Sequence, residues 1–227
     1  MTTPKTTSSS PPRGGASGLG RPGAGPAHDW IYLASQSPRR AQLLAQIGVR
    51  HELLLPQPHE DAEALEAEVA GELPADYCER VTRAKLQAAR ARLAALKRES
   101  APILCSDTTV ALGRQILGKP RDAAHAIETL GALSGRTHRV ITAVAVASGR
   151  REWLAVNVSR VHFAAIPAAE IERYVAGGEP FGKAGAYAIQ GAIAAWIAHI
   201  EGSHSGIVGL PLHETAGLLR RCGVAVA

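Results

Sequence analysis

Two adjacent arginines, Arg39 and Arg40, stand at the start of a predicted helix, within residues 35–40 (SQSPRR). An arginine in the first helical turn faces the positive end of the helix dipole, which costs up to about 1 kcal/mol. A bound anion would reverse that sign, because free amides, serine hydroxyls such as that of Ser35 and two guanidinium groups together form a phosphate cradle. The pair could equally be two solvated arginines beside a good N-cap, and the residues alone leave both interpretations open.

A carboxylate interrupts a strongly apolar stretch at Asp107. A carboxylate on a buried strand needs a partner, a metal ion or a catalytic task. The alternative is an aspartate at a strand end that caps a turn. Further along, Lys119 lies between Gly118 and Pro120, where it could reach a phosphate or simply lie on a surface loop.

Two other stretches are candidate ligand sites. Glu60 belongs to an acidic cluster, residues 59–63, whose oxygens could help to hold a divalent ion or could belong to a solvated loop. In residues 183–191 (KAGAYAIQG), small residues let a backbone approach a ligand, and the Gln190 amide offers a donor and an acceptor to a base edge. The alternative for this stretch is a tight loop between strands. Neither a Walker A loop nor a GxGxxG fingerprint is present.

The elements that must position these residues alternate along the chain. The predicted strands are 30–34, 51–55, 101–112, 140–147, 153–163 and 192–200. The predicted helices are 38–47, 76–97, 122–133, 167–176 and 210–221. Alternation together with a hairpin at 148–151 predicts an α/β fold in which helices flank a mixed, twisted sheet.

The first 28 residues differ in composition from the remainder of the 227-residue chain. They hold eight Ser or Thr, six Gly and five Pro, so they are predicted to be a disordered tail, followed by one domain over 29–227. The tail has three basic residues and no acidic ones, which leaves 22 basic and 20 acidic residues in the domain. Because the domain is nearly balanced in charge, a nucleic-acid partner is not expected.

The hydropathy of the chain and the spacing of its cysteines indicate the compartment in which the protein is expected. The sequence contains no run of about 18 apolar residues and no apolar segment near its start, so neither a membrane partner nor a secretory signal is expected. Three widely spaced cysteines, with no CxxC pair, fit a reducing, cytoplasmic location.

Seven motifs, in order and in register, resemble the Maf family of nucleoside triphosphate pyrophosphatases. They are 33–44 (LASQSPRRAQLL), 106–108 (SDT), 117–120 (LGKP), 133–138 (LSGRTH), 183–187 (KAGAY), 189–191 (IQG) and 208–212 (VGLPL). The resemblance runs from about residue 31 to residue 224. It implies a fold similar to that of the inosine triphosphate pyrophosphatases, with a cleft between two lobes.

The resemblance also implies an activity. Maf proteins hydrolyse the α–β phosphoanhydride of a nucleoside triphosphate to the monophosphate and pyrophosphate, with Mg²⁺ or Mn²⁺ as cofactor. A homodimer is expected at the level of the family. The expected substrates are dTTP and UTP. The alternatives are a non-catalytic, nucleotide-sensing regulator of septum formation and a 7-methyl-GTP pyrophosphatase.

The resemblance assigns roles residue by residue. Asp107 is expected to accept a proton and, with Glu60, to bind the metal. The residues expected to bind substrate are Ser35, Arg39, Arg40, Lys85, Thr108, Lys119 and Gln190. Members that act on dTTP and UTP carry Arg, Thr and Gln where this chain has Arg39, Thr108 and Gln190, whereas members that act on 7-methyl-GTP carry a bulky aromatic residue, Gln and Glu. One departure is Gly182, where the family usually has Asp.

Overall fold

The computed structural model describes residues 28–61 and 63–227. The predicted tail, 1–28, lies outside the described residues except for its last member, His28. The backbone amide of His28 donates to the carbonyl of Gly223 at 3.2 Å. Among the described residues, no helix has both the length and the apolar character that a membrane crossing requires.

A seven-stranded sheet of order β2-β1-β3-β5-β6-β7 runs through the molecule, and β4 also pairs with β3. The strands are β1 (Ile31–Leu33), β2 (His51–Leu53), β3 (Ile103–Leu112), β4 (Gln115–Leu117), β5 (Thr137–Ser148), β6 (Arg151–Phe163) and β7 (Ile197–Glu201). Strand β1 lies parallel to β2 and β3, and every other pair is antiparallel. The prediction of a mixed sheet with flanking helices is confirmed.

Within residues 28–61 and 63–227, six α-helices flank this sheet. They are α1 (Pro38–Gln46), α2 (Pro74–Ala95), α3 (Ala123–Leu133), α4 (Ala168–Ala176), α5 (His204–Val208) and α6 (Leu212–Arg221). Helix α1 begins at Pro38, the predicted start, after the extended Ser37, and Asp122 caps α3 by accepting a hydrogen bond from the amide of His125. Helix α2 begins two residues before the predicted Asp76, because Pro74 occupies its first turn.

The core lies on both faces of the sheet. On one face, Leu44 of α1 and Leu219 of α6 are fully buried against β1 and β5. On the other face, Leu86 of α2 packs against Tyr32 and Ile103. Each fully buried leucine contributes about 1.5–3 kcal/mol, so both layers hold the strands that carry the candidate residues.

The predicted strand 192–200 is wrong over its first half. Residues Ala192–Trp196 form a 3-10 helix, and the strand begins only at Ile197. Three alanines in this stretch provide little of the branched or aromatic surface that stabilises a strand. The sequence prediction also missed β4 and α5, which are three and five residues long.

The sheet contains a gap along one edge of β3. Strand β5 pairs with β3 along its length, so β1 and β4 share the opposite edge. Strand β1 pairs with Ile103 and Leu104, and β4 pairs only from Val110 onward. In the described part of the chain, no strand pairs with residues 105–109 on this edge, which places Asp107 at an opening in the sheet.

Candidate active site

A cleft of about 500 Å³ opens at this gap, a volume typical of small-molecule sites. Segments distant in sequence line it: the start of α1, the 3-10 turn Ala64–Glu66, α2, the middle of β3 and the loop around Gln190. The structure brings together eight of the nine residues predicted for the site. They are Ser35, Arg39, Arg40, Lys85, Asp107, Thr108, Lys119 and Gln190.

Arg40 lies on one side of the gap and is fixed by three neutral groups. It donates to the hydroxyls of Ser35 (3.1 Å) and Thr108 (3.3 Å) and to the carbonyl of Gly209 (2.8 Å). Burial lowers the pKa of Arg40 while the charge of Asp107 opposes that shift, and an arginine so placed stays protonated at neutral pH. No ion pair involves Arg40 in the described residues, so its charge is available to an anion.

Asp107 lies on the other side of the gap and belongs to a chain of alternating charges. Its Oδ1 lies 2.5 Å from Nζ of Lys85, and that ammonium also lies 2.8 Å from Oε1 of Glu66. The second oxygen of Glu66 accepts from Nζ of Lys119 at 2.8 Å. The order Asp107, Lys85, Glu66, Lys119 therefore alternates negative and positive charges across the cleft.

The pKa values along this chain follow from burial and from the neighbouring charges. Burial alone would raise the pKa of Glu66, but Lys85 and Lys119 hold it below its usual value. Burial alone would lower the pKa of Lys85, but Asp107 and Glu66 raise it above its usual value. At neutral pH, Glu66 is therefore ionised and Lys85 is protonated.

Glu60 is the predicted residue that the structure does not bring to Asp107. Both of its oxygens accept from the guanidinium of Arg92, at 2.8 and 2.6 Å, and one also accepts from the amide of Gln57. Arg92 is only 7% exposed and donates in addition to the carbonyl of Leu54. Hydrogen bonds from Arg92 lower the pKa of Glu60 to about 2. Glu60 thus stabilises the fold, and Glu66 is the acidic residue that faces Lys85.

We expect Glu60→Gln to lower stability by about 1–3 kcal/mol and to leave hydrolysis within about twofold of the wild-type rate, because Arg92 loses its counter-charge. The folded pKa of about 2 lies below the usual 4.5. The stabilisation is therefore present above about pH 4.5 and disappears as the pH falls through about 2. Thermal melts from pH 7 to pH 2 should show the difference in melting temperature between wild type and variant becoming smaller as the pH falls.

The control for this variant is Glu128→Gln, which alters an exposed glutamate on α3. It should leave both the melting temperature and the rate unchanged. If Glu60→Gln instead melted like the wild type and lost hydrolysis, Glu60 would belong to the catalytic site.

Three other polar side chains line the cleft near its mouth. In the described residues, Arg39 and Gln190 make no side-chain hydrogen bond, and Gln190 is exposed. Lys183 donates to the main-chain carbonyl of Glu179. Within the described part of the chain, the side chains of Arg39 and Gln190 are therefore available to a ligand in the cleft.

The loop that carries Gln190 is tightly packed at its start. A Cβ on Gly185 would lie 2.8–2.9 Å from the side chain of Val110, and Gly185 has a φ of +68°, so only glycine fits there. The hydroxyl of Tyr187 lies 2.7 Å from Nε2 of His138. Burial lowers the pKa of His138 to about 4, so this pair is neutral at pH 7.

Sequence reasoning missed several polar residues of the cleft, among them Glu66 and Lys183. Glu66 lies just after the acidic cluster 59–63, and it pairs with Lys85 and Lys119 whereas Glu60 pairs with Arg92. Lys183 belongs to the motif 183–187 and directly precedes the small residues of 184–186, but the motif alone predicts no role for its side chain.

Comparison with protein families matches most of the chain. The sequence model of the Maf-like protein family matches residues 30–222. The chain belongs to the Maf-like family. The matched segment contains every cleft residue described above, and the resemblance drawn from the seven motifs is confirmed.

This Maf-like chain matches almost the whole length of several similar curated proteins. The dTTP/UTP pyrophosphatase of Polaromonas sp. is 62% identical over 201 residues, which are 88% of this chain and 100% of that protein. The dTTP/UTP pyrophosphatase of Albidiferax ferrireducens is 59% identical over 87% of this chain and 99% of that protein. That of Burkholderia pseudomallei is 57% identical over 89% and 98% respectively.

A partial likeness also links this Maf-like chain to a solved structure. The crystal structure of a nucleoside-triphosphatase, dITP/XTP pyrophosphatase, from Mycobacterium abscessus is 18% identical, with a TM-score of 0.36. The match covers 60% of this chain and 75% of that chain.

Proposed function

We propose that this Maf-like protein hydrolyses the α–β phosphoanhydride of dTTP and UTP to the nucleoside monophosphate and pyrophosphate. The observation that carries the proposal is the carboxylate of Asp107, held at 2.5 Å by Lys85 in a cleft lined by further cationic side chains. The relatives described above, which are 57–62% identical, have names that agree with it. Such an activity would remove unwanted pyrimidine triphosphates from the nucleotide pool.

The charges of the cleft suit a triphosphate. A nucleoside triphosphate brings about four negative charges, and phosphoryl transfer depends mainly on positioning and electrostatic stabilisation. Arg39 and Arg40 approach from α1, while Lys119 and Lys183 approach from the opposite loops. The hydroxyl oxygen of Ser35 already accepts from Arg40 and from the amide of Ser37, so its hydrogen is available to a phosphate oxygen.

The acidic residues of the cleft fit a divalent cation, Mg²⁺ or Mn²⁺. Asp107 and Glu66 both lie within 2.8 Å of the same ammonium, so their oxygens converge on one centre of positive charge. Magnesium is usually held by one or two carboxylates together with water and substrate phosphates, which agrees with the absence of any cluster of three ligating side chains in the described residues. When bound, the ion would neutralise phosphate charge and acidify a water molecule.

Asp107 then acts on the attacking water. Its side chain projects from β3 into the gap, and Lys85 and the hydroxyl of Thr109 hold its two oxygens in place, at 2.5 and 3.5 Å. A carboxylate so oriented accepts a proton as the water attacks the α-phosphorus. Arg40, fixed from behind by Thr108, stabilises the negative charge that develops on the phosphate oxygens.

Base recognition falls to Gln190 and Arg39. Uracil and thymine present a carbonyl at O4 and a donor at N3, and the amide of Gln190 can pair with both. An amide that flipped would suit cytosine equally well. Arg39 removes that freedom, because a guanidinium only donates and therefore favours the carbonyl of uracil or thymine over the amine of cytosine.

The proposal is tested by incubating the purified protein with dTTP, UTP, CTP and 7-methyl-GTP in the presence of Mn²⁺. We expect pyrophosphate from dTTP and UTP, little from the other two, and none from any of them after chelation of the metal. Release of phosphate instead of pyrophosphate would place cleavage at the γ-phosphate and contradict the proposal. Activity on 7-methyl-GTP alone would assign the other subfamily, and no product from any substrate would favour a nucleotide-sensing regulator.

A further inference from the structure

The carboxylate of Glu179 lies directly against the backbone of Gly191, the residue that follows Gln190. A Cβ on Gly191 would lie 1.6 Å from Oε1 of Glu179 and 2.5 Å from its Cδ. Gly191 has φ −92° and ψ −168°, an extended conformation that any residue adopts. A side chain at position 191 would therefore have to displace the Glu179 carboxylate, which occupies the position that its Cβ would take.

Glu179 contacts the loop at both of its ends. Its Oε2 accepts from the amide of Ala192, two residues after Gln190, at 3.3 Å, and its main-chain carbonyl accepts from the ammonium of Lys183. The hydroxyl of Tyr174, on α4, donates to Oε1 at 2.9 Å and so fixes the carboxylate. One residue thus contacts both Lys183 and the backbone that follows Gln190, while it lies outside the cleft lining itself.

We infer that Glu179 is a positioning residue for base selection. It holds the loop that carries Gln190 at the distance and angle that hydrogen bonding to a pyrimidine base requires. The inference rests on the proposed function, because it takes Gln190 to face the base. The phosphate-binding residues Arg40 and Lys119 belong to other elements and have no hydrogen bond with Glu179. Lys183 contacts the main-chain carbonyl of Glu179, which a substitution of the side chain leaves in place. Loss of the Glu179 carboxylate should therefore weaken recognition of the base and spare recognition of the phosphates.

The test compares two ligands of the full-length protein by calorimetry: a dTTP analogue with a non-hydrolysable α–β bridge, and inorganic tripolyphosphate, which has no base. We expect Glu179→Ala to weaken the analogue about tenfold and tripolyphosphate less than about twofold, since a few well-placed hydrogen bonds carry an effect of that size. Glu179→Gln keeps an acceptor for Ala192 and a donor for Tyr174, so it should remain within about threefold. The matched control, Glu172→Ala on the exposed side of α4, should change neither affinity.

A double-variant cycle isolates the steric contact. Gly191→Ala alone should weaken the dTTP analogue, since its methyl group meets the Glu179 carboxylate. In the Glu179→Ala background the same methyl group has space, so it should cost little more. If the methyl group cost as much in both backgrounds, the contact would not be the reason for glycine at this position.

Other outcomes also decide the inference. Equal losses for the analogue and for tripolyphosphate would show a general structural role, and no loss for either would show that the carboxylate is not needed. If Glu179→Ala did not fold, Tyr174→Phe, which removes one hydroxyl, should give the same selectivity pattern at smaller size. Hydrolysis of dTTP by the wild type is measured separately, so failure of the proposed function is distinguishable from failure of this inference.

Discussion

Replacing Asp107 by asparagine is expected to lower the rate of dTTP hydrolysis by about 10²–10⁴-fold, the usual contribution of a general base. The substitution keeps the volume of the side chain and removes the group that accepts the proton. Lys85 retains its second carboxylate partner, Glu66, so the cleft should keep its shape. Pyrophosphate release gives the rate. Calorimetry with a non-hydrolysable analogue should show a nucleotide affinity within about threefold of wild type, because loss of the Asp107 charge leaves the phosphate-binding cations in place.

A matched substitution separates this effect from a general loss of charge. Asp76→Asn alters an exposed aspartate in the first turn of α2 and should leave the rate unchanged. An Asp107→Asn variant that kept more than about a tenth of the wild-type rate would contradict the role of Asp107 as general base.

Lys85→Met is expected to lower hydrolysis by about 10²–10³-fold, an effect typical of losing one preorganised electrostatic group. The variant leaves Asp107 and Glu66 near each other without the ammonium that bridges them. Because Lys85 helps to hold the pKa of Glu66 below its usual value, that pKa should rise in the variant. As the pH falls, Glu66 then becomes protonated at a higher pH than in the wild type, so the acidic limb of the pH–rate profile should move to higher pH.

Two comparisons calibrate the Lys85 variant. Lys119→Met removes an ammonium that bonds to Glu66 alone among the described residues and belongs to a side chain that is 47% exposed, so its effect should be smaller. Lys97→Met, just past the end of α2, alters an exposed lysine and should have no effect. A Lys85→Met rate within tenfold of wild type would contradict the bridging role of this lysine.

Much of the cleft could be predicted because its residues lie within short motifs. The pair Arg39 and Arg40 stands out at a helix start, and Asp107 stands out within an apolar strand, since each is costly there without a ligand or partner. The choice between Glu60 and Glu66 could not be predicted in this way. It depends on Arg92, which lies 32 residues after Glu60 and binds it in a bidentate ion pair.

The elements that were missed are short or irregular. Strand β4 has three residues, and only its pairing with β3 makes it a strand, so no periodicity of its own reveals it. Residues Ala192–Trp196 are apolar, and a short apolar stretch does not distinguish a strand from a helical turn. The long strands β3, β5 and β6 could be predicted because their apolar and branched residues extend over ten positions or more.

The unpaired edge of β3 affects how the preference of this site can change over generations. The opening is bordered by the backbone amide and carbonyl groups of residues 105–109, which are the same whatever side chains the strand carries. The opening itself therefore does not depend on the side chains. Arg39 and Gln190 reach the opening from the start of α1 and from a loop, and neither belongs to the sheet. Selection can therefore exchange the residues that read the base without disturbing the strand pairing that keeps the protein folded.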